Sequence, residues 1–242
     1  MWRLSIIVIG LVHCAGLHGY QDTTVVNTNC GPVAGIKRSA HVFKGIPYAE
    51  PPVSHLRWKP PVPKSREVNN CWNGIFKACS FGNSCVQTGF TNRTEMLGGE
   101  DCLYLNVWTP TTDRNAKLPV MVYIHGGYLN YFNDNTPNYS PSEELAINTN
   151  MVYVSMNYRL NAFVFMSLDI ISDASPSGTS WNYGFMDQIL VLQWVQENIC
   201  NFGGNPNLVW IIEINILYTD SDYPFGIFKL FLNRPTFLYL KG

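Results

Sequence analysis

Charged side chains are scarce in this sequence. Asp, Glu, Lys and Arg together make up 14% of its 242 residues, and the formal net charge is −1. An average domain carries about 25% charged residues. A chain this neutral, without a basic cluster, is not expected to bind nucleic acid or an anionic membrane surface. Cysteine and histidine spacings typical of zinc sites are also missing, so we predict no metal site.

No apolar run is long enough to span a bilayer, which takes about 20 residues. The run near the N-terminus, residues 4–12, follows Arg3 and precedes several small residues. A basic residue, a short apolar core and small residues are the layout of a secretory signal peptide. We therefore predict that residues 1–19 are a signal peptide and that the protein is secreted to the extracellular space.

The cysteine count agrees with export. Removal of residues 1–19 would take Cys14 away. Six cysteines would remain: Cys30, Cys71, Cys79, Cys85, Cys102 and Cys200. An even number in an exported chain favours disulfides, but six cysteines allow fifteen pairings. For Cys71 and Cys79, a second bridge and buried thiols are both open.

Two triplets match the N-glycosylation pattern, Asn92-Arg93-Thr94 and Asn138-Tyr139-Ser140. Neither has proline at its second position, and both lie in polar, turn-rich stretches. We predict Asn92 and Asn138 as glycosylation sites.

The chain is organised around residues 118–128, Leu-Pro-Val-Met-Val-Tyr-Ile-His-Gly-Gly-Tyr. Val, Ile and Tyr between a proline and paired glycines predict a buried strand that ends in a turn. Paired glycines allow positive φ and bring backbone N–H groups close to a ligand. An oxyanion hole between a strand and a helix is built in this way, so Gly126 and Gly127 are candidate donors. An ordinary glycine turn is the alternative.

Further strands surround this one. Residues 23–50 alternate polar and apolar side chains with turn signals, which predicts short antiparallel strands. Residues 103–108 and 151–157 predict two more strands. Ser142 is a candidate helix N-cap before residues 151–157, with acidic residues in the first turn. Strand, helix and strand in this order predict parallel pairing with a right-handed crossover.

The clearest helix is predicted over residues 185–200. Its apolar residues recur at near-helical spacing: Ile189, Leu192, Val195 and Ile199. We interpret this stripe as the buried face of the helix, which ends before Gly203-Gly204.

Five motifs, in order, resemble the type-B carboxylesterase and cholinesterase family. They are Phe43-Lys44-Gly45-Ile46-Pro47-Tyr48-Ala49-Glu50-Pro51-Pro52, Glu100-Asp101-Cys102-Leu103-Tyr104-Leu105-Asn106-Val107-Trp108, the His-Gly-Gly turn, Asn157-Tyr158-Arg159-Leu160 and Asn182-Tyr183-Gly184-Phe185-Met186-Asp187-Gln188. The resemblance covers about residues 41–210. It implies an α/β class structure, the incomplete N-terminal part of an α/β-hydrolase fold, with a mostly parallel sheet and flanking helices. The expected division is a partial carboxylesterase domain over residues 20–212 and an unrelated apolar tail over residues 213–242.

The family hydrolyses small carboxylic esters through an acyl-enzyme on serine, and it uses no cofactor. Backbone N–H groups stabilise the tetrahedral oxyanion. By resemblance, Gly126 and Gly127 supply these groups in this chain. Tyr128 follows where the family often has a third small residue, which would crowd the hole while keeping its N–H.

The resemblance also implies a disulfide between Cys85 and Cys102. Across the mouth of that loop, Arg57 is expected to pair with Glu100, with a solvated Arg57 as the alternative. In cholinesterases this loop carries a tryptophan that binds a quaternary ammonium group. The loop here contains no tryptophan, so we do not expect a true cholinesterase.

The resemblance stops where the family has its catalytic serine. That serine lies in a G-x-S-x-G turn after a strand, because the flanking glycines relieve crowding. Here the corresponding residues are Glu213-Ile214-Asn215-Ile216-Leu217, and no G-x-S-x-G occurs in the chain. The amide of Asn215 cannot attack an ester, and the last histidine, His125, does not match the catalytic base. We therefore expect a chain truncated before the nucleophile elbow and without esterase activity.

The alternative function is that of a non-catalytic, neuroligin-like binding or adhesion protein, because such relatives keep the fold and lose the serine. An incomplete domain exposes sheet edges and apolar faces, which argues against a stable adhesive module. The sequence does not distinguish a truncated esterase from a selected non-catalytic form, and it leaves the oligomeric state open.

Overall fold

The computed structural model describes residues 14–16, 19–65, 67, 69–137, 140–161, 182–215 and 226–232. The elements within these residues follow in chain order: β1 (Cys14–Gly16), β2 (Gly19–Gln21), β3 (Thr23–Thr28), β4 (Gly31–Lys37), β5 (His41–Pro47), β6 (Phe76–Lys77), β7 (Gln87–Thr88), β8 (Met96–Leu97), β9 (Tyr104–Thr109), β10 (Leu118–Ile124), α1 (Glu143–Thr149), β11 (Val152–Met156), α2 (Tyr183–Asn198), β12 (Gly204–Asn215) and β13 (Gly226–Leu232). Two short 3₁₀ turns lie at Ser54–Leu56 and Ile199–Phe202.

One mixed sheet organises the fold. Its strands lie in the order β13-β12-β10-β11-β9-β5-β4-β3, with β6 beside β4. Strand β10 pairs in parallel with β11 and β12, and the remaining neighbours along this order are antiparallel. The α/β architecture is confirmed, but the expected parallel pairing is concentrated at the centre. The short turns after β3 and β4 explain this, because turns of that length connect only antiparallel strands.

The β10–α1–β11 unit forms as predicted. The Ser142 hydroxyl accepts a hydrogen bond from the Leu145 N–H at 3.1 Å, so Ser142 is the N-cap of α1. Helix α1 ends at Asn150, which adopts a left-handed φ of 52°. Because the helix carries the chain back along the sheet, β11 enters beside β10 in the same direction, with Ile124 opposite Met156.

Helices cover both faces of the sheet. Successive residues of β10 point to opposite faces. Val120 and Val122 belong to the same buried cluster as Val195 of α2. Met121 packs on the other cluster, which contains Ala146 of α1. Strand β10 is therefore apolar on both faces because each face meets a helix.

Helix α2 begins and ends two residues earlier than predicted, and its buried face is rotated. Val195 and Ile199 are buried, but Ile189 is 51% exposed, so its assignment to the core was wrong. Polar side chains are part of the buried face: Asp187 and Asn198 are fully buried. Asn198 accepts a hydrogen bond from the Asn29 N–H at 2.7 Å. A purely apolar pattern does not count such residues, and this explains the rotation.

Three disulfides connect the first half of the chain: Cys14–Cys79, Cys30–Cys71 and Cys85–Cys102. Cys85 and Cys102 form the pair that the resemblance implies. Cys71 and Cys79 both form bridges, but not with each other, and Cys200 is free. Cleavage after residue 19 would remove the partner of Cys79; the boundary of the signal peptide stays a prediction.

The end of β12 crosses the expected boundary between domain and tail. Strand β12 continues to Asn215, and β13, which lies in the tail, pairs with it in antiparallel. Part of the predicted tail is thus an edge strand of the sheet. No helix in the described part of the chain is long and apolar enough to cross a membrane.

Candidate functional site

The His-Gly-Gly turn lies at the carboxyl end of β10. Gly126 and Gly127 are buried. Gly127 has a φ of +106°, and a Cβ atom there would overlap the carbonyl oxygen of Tyr131. The Gly127 carbonyl accepts hydrogen bonds from the N–H groups of Asn130 at 2.9 Å and Tyr131 at 3.1 Å. Only glycine fits this conformation without strain, as the sequence predicts for a turn that exposes backbone donors.

His125 fixes the orientation of the turn. Its ring stacks on Tyr158 with a centroid distance of 4.4 Å. Its Nδ1 lies 3.0 Å from the Gly126 carbonyl oxygen, so Nδ1–H is the donor because a carbonyl only accepts. The two groups of a trans peptide point in opposite directions. The bond to the Gly126 carbonyl therefore directs the Gly127 N–H away from His125.

The imidazole of His125 is neutral at pH 7. Burial lowers its pKa to about 4, and the hydrogen bond to Gly126 opposes this only in part. The Tyr158 hydroxyl donates to the His125 carbonyl at 2.7 Å. Burial raises the pKa of Tyr158, and the charge of Glu213 raises it further. The uncharged rings of His125 and Tyr158 thus support the turn, and the carboxylate of Glu213 lies in electrostatic range of Tyr158.

The residues after the turn adopt an unusual backbone. Tyr128, Leu129 and Phe132 have φ values of 55°, 60° and 74°. Left-handed φ at bulky residues costs about 1–2 kcal/mol each, and it persists only where neighbours enforce it. Asn161 is one such neighbour: its N–H donates to the Leu129 carbonyl at 2.9 Å, and its side chain donates to the Asn130 carbonyl at 3.1 Å. The Tyr128 side chain is 47% exposed, so it is turned largely to solvent.

The end of β12 offers no comparable turn. Glu213 lies opposite Ile124, at the level where β10 ends. Strand β12 nevertheless continues, and Asn215 pairs with Gly226 of β13. A nucleophile elbow needs a sharp turn between strand and helix at this point. The described backbone is extended instead, as expected for residues that lack the flanking glycines.

A polar loop lies beside these strand ends. Arg57 donates from Nε and Nη2 to the two carboxylate oxygens of Glu100, each at 2.6 Å. This two-bond ion pair was the expectation from the resemblance, and the alternative of a solvated Arg57 is wrong. Cys85 and Cys102 close the loop, whose central part is the hairpin β7–β8.

Sequence reasoning missed a second ion pair, which fixes the start of α2. Arg159 donates from Nε and Nη2 to Asp187 at 2.8 and 2.7 Å, and its Nη1 donates to the Lys59 carbonyl at 2.8 Å. Both side chains are at most 5% exposed. The signal was present in the sequence as two charges within apolar motifs, but spacing alone did not pair them.

A buried polar cluster below the turn was also missed. Asp134 is 1% exposed, and its carboxylate accepts from the Asn106 side chain at 2.5 Å. Its N–H donates to the Asn157 side chain at 2.9 Å, and its carbonyl accepts from the Ser155 hydroxyl at 3.2 Å. Burial raises the pKa of Asp134 to about 7, although the hydrogen bond from Asn106 lowers it. We call Asp134, Asn106, Ser155 and Asn157 the buried polar cluster.

The remaining predicted sites lie apart from the turn. Asn92 is exposed on the β7–β8 hairpin, and the Thr94 hydroxyl donates to its side-chain oxygen at 2.7 Å. Asn138 lies outside the described residues. Within the described ranges, no group of three or more His, Cys, Asp or Glu side chains is placed to hold a metal ion.

A mixed sheet with helices on both faces, and a glycine turn at the carboxyl end of a central strand, define an α/β-hydrolase architecture. A family model described as the carboxylesterase family matches residues 22–213, and the chain belongs to that family.

The similar proteins include enzymes and one protein, Neurotactin, whose name is not that of an enzyme. The chain is 43% identical over 207 residues to acetylcholinesterase of Danio rerio, a match over 79% of this chain and 31% of the relative. It is 39% identical over 186 residues to Neurotactin of Drosophila melanogaster, over 76% of this chain and 21% of the relative. A carboxylesterase structure from Geobacillus stearothermophilus superimposes with a TM-score of 0.68 at 37% identity, covering 78% of this chain and 38% of the other. The chain thus spans well under half the length of these relatives.

Proposed function

We propose that this chain carries the oxyanion side of a carboxylic ester hydrolase site and does not hydrolyse esters by itself. His125, Gly126, Gly127 and Tyr128 follow one another directly after β10, and both glycines are buried. The N–H groups of such a turn suit the developing negative charge of a tetrahedral intermediate. The assignment of Gly126 and Gly127 as the donors rests on this geometry and on membership in the family.

The observation that carries the second half of the proposal is the end of β12. The strand remains extended and paired through Asn215, where a hydrolase of this architecture needs a turn that exposes serine. The histidines after the predicted signal peptide are His41, His55 and His125. Of these, His125 lies at the turn, with its Nδ1–H bonded to Gly126 and its pKa lowered by burial, so it is poorly suited to receive a proton.

The experiment is a rate measurement on the purified chain with p-nitrophenyl esters of short acids. We expect no hydrolysis above the rate in buffer. The same protein after thermal unfolding serves as a control for reaction with exposed lysines. Turnover that requires the folded chain and that a serine-directed organophosphate abolishes would contradict the proposal.

A non-catalytic binding function is the second candidate. The observation that favours it is the similarity to Neurotactin, a relative whose name is not that of an esterase. A capture experiment on cell surfaces with the labelled chain tests it. Saturable binding that competes with unlabelled chain supports this candidate, and purely linear, non-competed binding argues against it.

Export and glycosylation are part of the proposal. The disulfides are consistent with an oxidising compartment, and Asn92 is exposed at a matching triplet. We expect the protein expressed in a eukaryotic secretory host to reach the medium, with a glycan at Asn92 or Asn138. Digestion with a glycan-removing amidase should lower its mass. Retention of an unprocessed, glycan-free chain in the cytosol would contradict this.

A further inference from the structure

Two buried aspartates differ in one respect that matters for pH. Asp187 is fully buried and forms a two-bond ion pair with Arg159. Asp134 is 1% exposed, and its carboxylate accepts from a neutral amide, that of Asn106. Among the described residues, no lysine, arginine or histidine forms an ion pair with Asp134. A buried carboxylate without a cation is costly, so such a group keeps its proton or leaves the core.

Burial disfavours the charge of Asp134 and outweighs the neutral groups that favour it, the side chains of Asn106 and Asn157 and a backbone N–H. Strand β9 contributes the amide of Asn106, β11 contributes the hydroxyl of Ser155, and Asn157, which follows β11, contributes its side-chain amide. The phenol of Tyr48, which follows β5, is in electrostatic range of Asp134, and its own pKa is raised well above the usual value, first of all by burial. Tyr48 is therefore neutral and adds no positive charge.

The charged groups nearby neutralise each other. The charges of Arg159 and Asp187 act on the pKa of Tyr48 in opposite directions, and the two side chains are bonded to one another at 2.7 Å. Each is engaged in that pair, so neither is available to compensate an ionised Asp134. The favourable state of the Asp134 carboxyl in the closed fold is the neutral one.

Asp134 also attaches the segment that begins with the glycine turn. Its carbonyl accepts from Ser155 of β11, and its N–H donates to Asn157, which directly follows β11. The segment of residues 126–136 follows β10, which ends at Ile124. Left-handed φ values at Tyr128, Leu129 and Phe132 place backbone strain in the same segment. The segment thus contains backbone strain at Tyr128, Leu129 and Phe132 and is held in place by the bonds of Asp134 to the buried polar cluster.

We propose that the Asp134 carboxyl is a pH-sensitive switch: when neutral it holds the 126–136 segment closed on the sheet, and when ionised it favours opening of that segment. Burial raises the pKa of Asp134 to about 7 in the closed state. In an open segment it returns toward an ordinary value of about 3.9. Opening therefore releases a proton at pH values between about 3.9 and about 7. The equilibrium constant for opening rises with pH over this range and is constant above it.

Hydrogen exchange of the 126–136 segment in the full chain tests the switch. After correction for intrinsic exchange rates, the ratio of the opening constant of the wild-type segment to that of Asp134→Asn, which keeps the shape and stays neutral, should rise about tenfold per pH unit between pH 5 and 7, because one proton is released from Asp134. His125 is common to both proteins: if opening exposes its ring, its pKa returns from about 4 toward 6.5 and it takes up a proton, so its contribution opposes that of Asp134 and cancels in the ratio.

Asp113→Asn is the matched control. Asp113 is exposed at a turn and its carboxylate accepts from the Asn115 N–H at 2.9 Å, so this variant should keep the wild-type pH profile. A rise of the opening constant with pH that persists in Asp134→Asn overturns the proposal. So does a ratio of the wild-type to the Asp134→Asn opening constant that is equal at all pH values between 5 and 7.

A measurement on the wild-type chain guards against a variant that fails to fold. Difference infrared spectra should show the carbonyl stretch of a protonated carboxylic acid that disappears with a midpoint near pH 7. If all carboxyl groups of the folded chain titrate below pH 5, the switch does not exist.

Discussion

Strands β10 and β12 are parallel neighbours that end in different ways. Both are apolar, and Ile124 lies opposite Glu213 where they reach the same edge of the sheet. Strand β10 then turns sharply at Gly127, with a φ of +106°. Strand β12 continues in extended form to Asn215 and pairs with β13. The two strands are similar in apolar sequence, but β12 is less completely buried than β10, and the residues that follow them differ.

The difference separates the residues that specify the strands from the residues that set the geometry a reaction needs. Apolar side chains specify both strands, although those of β12 are less completely buried than those of β10. The geometry that a reaction needs comes from residues able to leave the extended conformation, above all glycine. Where His125, Gly126 and Gly127 follow the strand, the chain leaves the extended conformation at Gly127. Where Glu213 and Asn215 occupy the corresponding level, the sheet simply continues.

The largest expected effect comes from breaking the turn of β10 with Gly127→Ala. The added Cβ would overlap the Tyr131 carbonyl and would require a left-handed φ, so we expect a loss of about 3 kcal/mol or more in the free energy of unfolding. Gly74→Ala is the control, because Gly74 also has a positive φ of +74°, but a Cβ added there would meet no atom of the described residues within 4 Å. It should cost only about 1 kcal/mol. Urea denaturation measures both, and equal losses would show that the turn is not closely packed.

A smaller effect is expected from His125→Phe, which keeps the ring stack but removes the bond to the Gly126 carbonyl. At pH 7.5 we expect a loss of about 1 kcal/mol. In the wild type the pKa of His125 falls from 6.5 to about 4 on folding. Its unfolded form therefore binds a proton first as pH falls, and stability is lost from pH 6.5 down to about 4, by up to about 3 kcal/mol. The phenylalanine variant lacks this loss, so it should become the more stable protein near pH 4.5.

Tyr158→Phe separates packing from titration in this comparison. It removes the hydroxyl that donates to the His125 carbonyl at 2.7 Å and leaves the imidazole in place. We expect a loss of about 1 kcal/mol at both pH values, with the acid dependence of the wild type retained. If His125→Phe shows the same acid dependence as the wild type, the neutral buried imidazole is not its source.

Sequence reasoning succeeded where a pattern is local. The strand over Leu118–Ile124 has the predicted limits, and the cap at Ser142 forms as expected. Both depend on neighbouring residues along the chain, on apolar runs and on a hydroxyl before acidic residues. The lack of an elbow after β12, expected from the lack of glycines around Asn215, stays a prediction.

It failed where polar groups are buried by distant partners. The structure pairs Asp187 with Arg159, 28 residues away in sequence, and the sequence analysis did not predict this ion pair. It did not predict that Asp134 is buried against Asn106 either. Ile189 was assigned to the core because the pattern counted only apolar residues. These side chains are fixed by tertiary contacts, which spacing along one segment does not contain.

The smallest expected effect is that of Asn215→Ser, which places a hydroxyl where the architecture has its nucleophile. If the missing serine were the only defect, this variant would hydrolyse p-nitrophenyl esters. We expect no rate above buffer or above the unmodified chain, because Glu213 and Leu217 lack the flexibility of flanking glycines and β12 is held extended by its pairing with β13. The neutral His125 is bonded to Gly126 and is a poor base. Catalysis also needs donors held to a fraction of an ångström relative to the nucleophile, and the extended backbone of β12 lacks the sharp turn that positions a nucleophile. A clear rate that a serine-directed organophosphate abolishes would show that the end of β12 can form the turn after all, and that the two strand ends differ less than their backbones indicate.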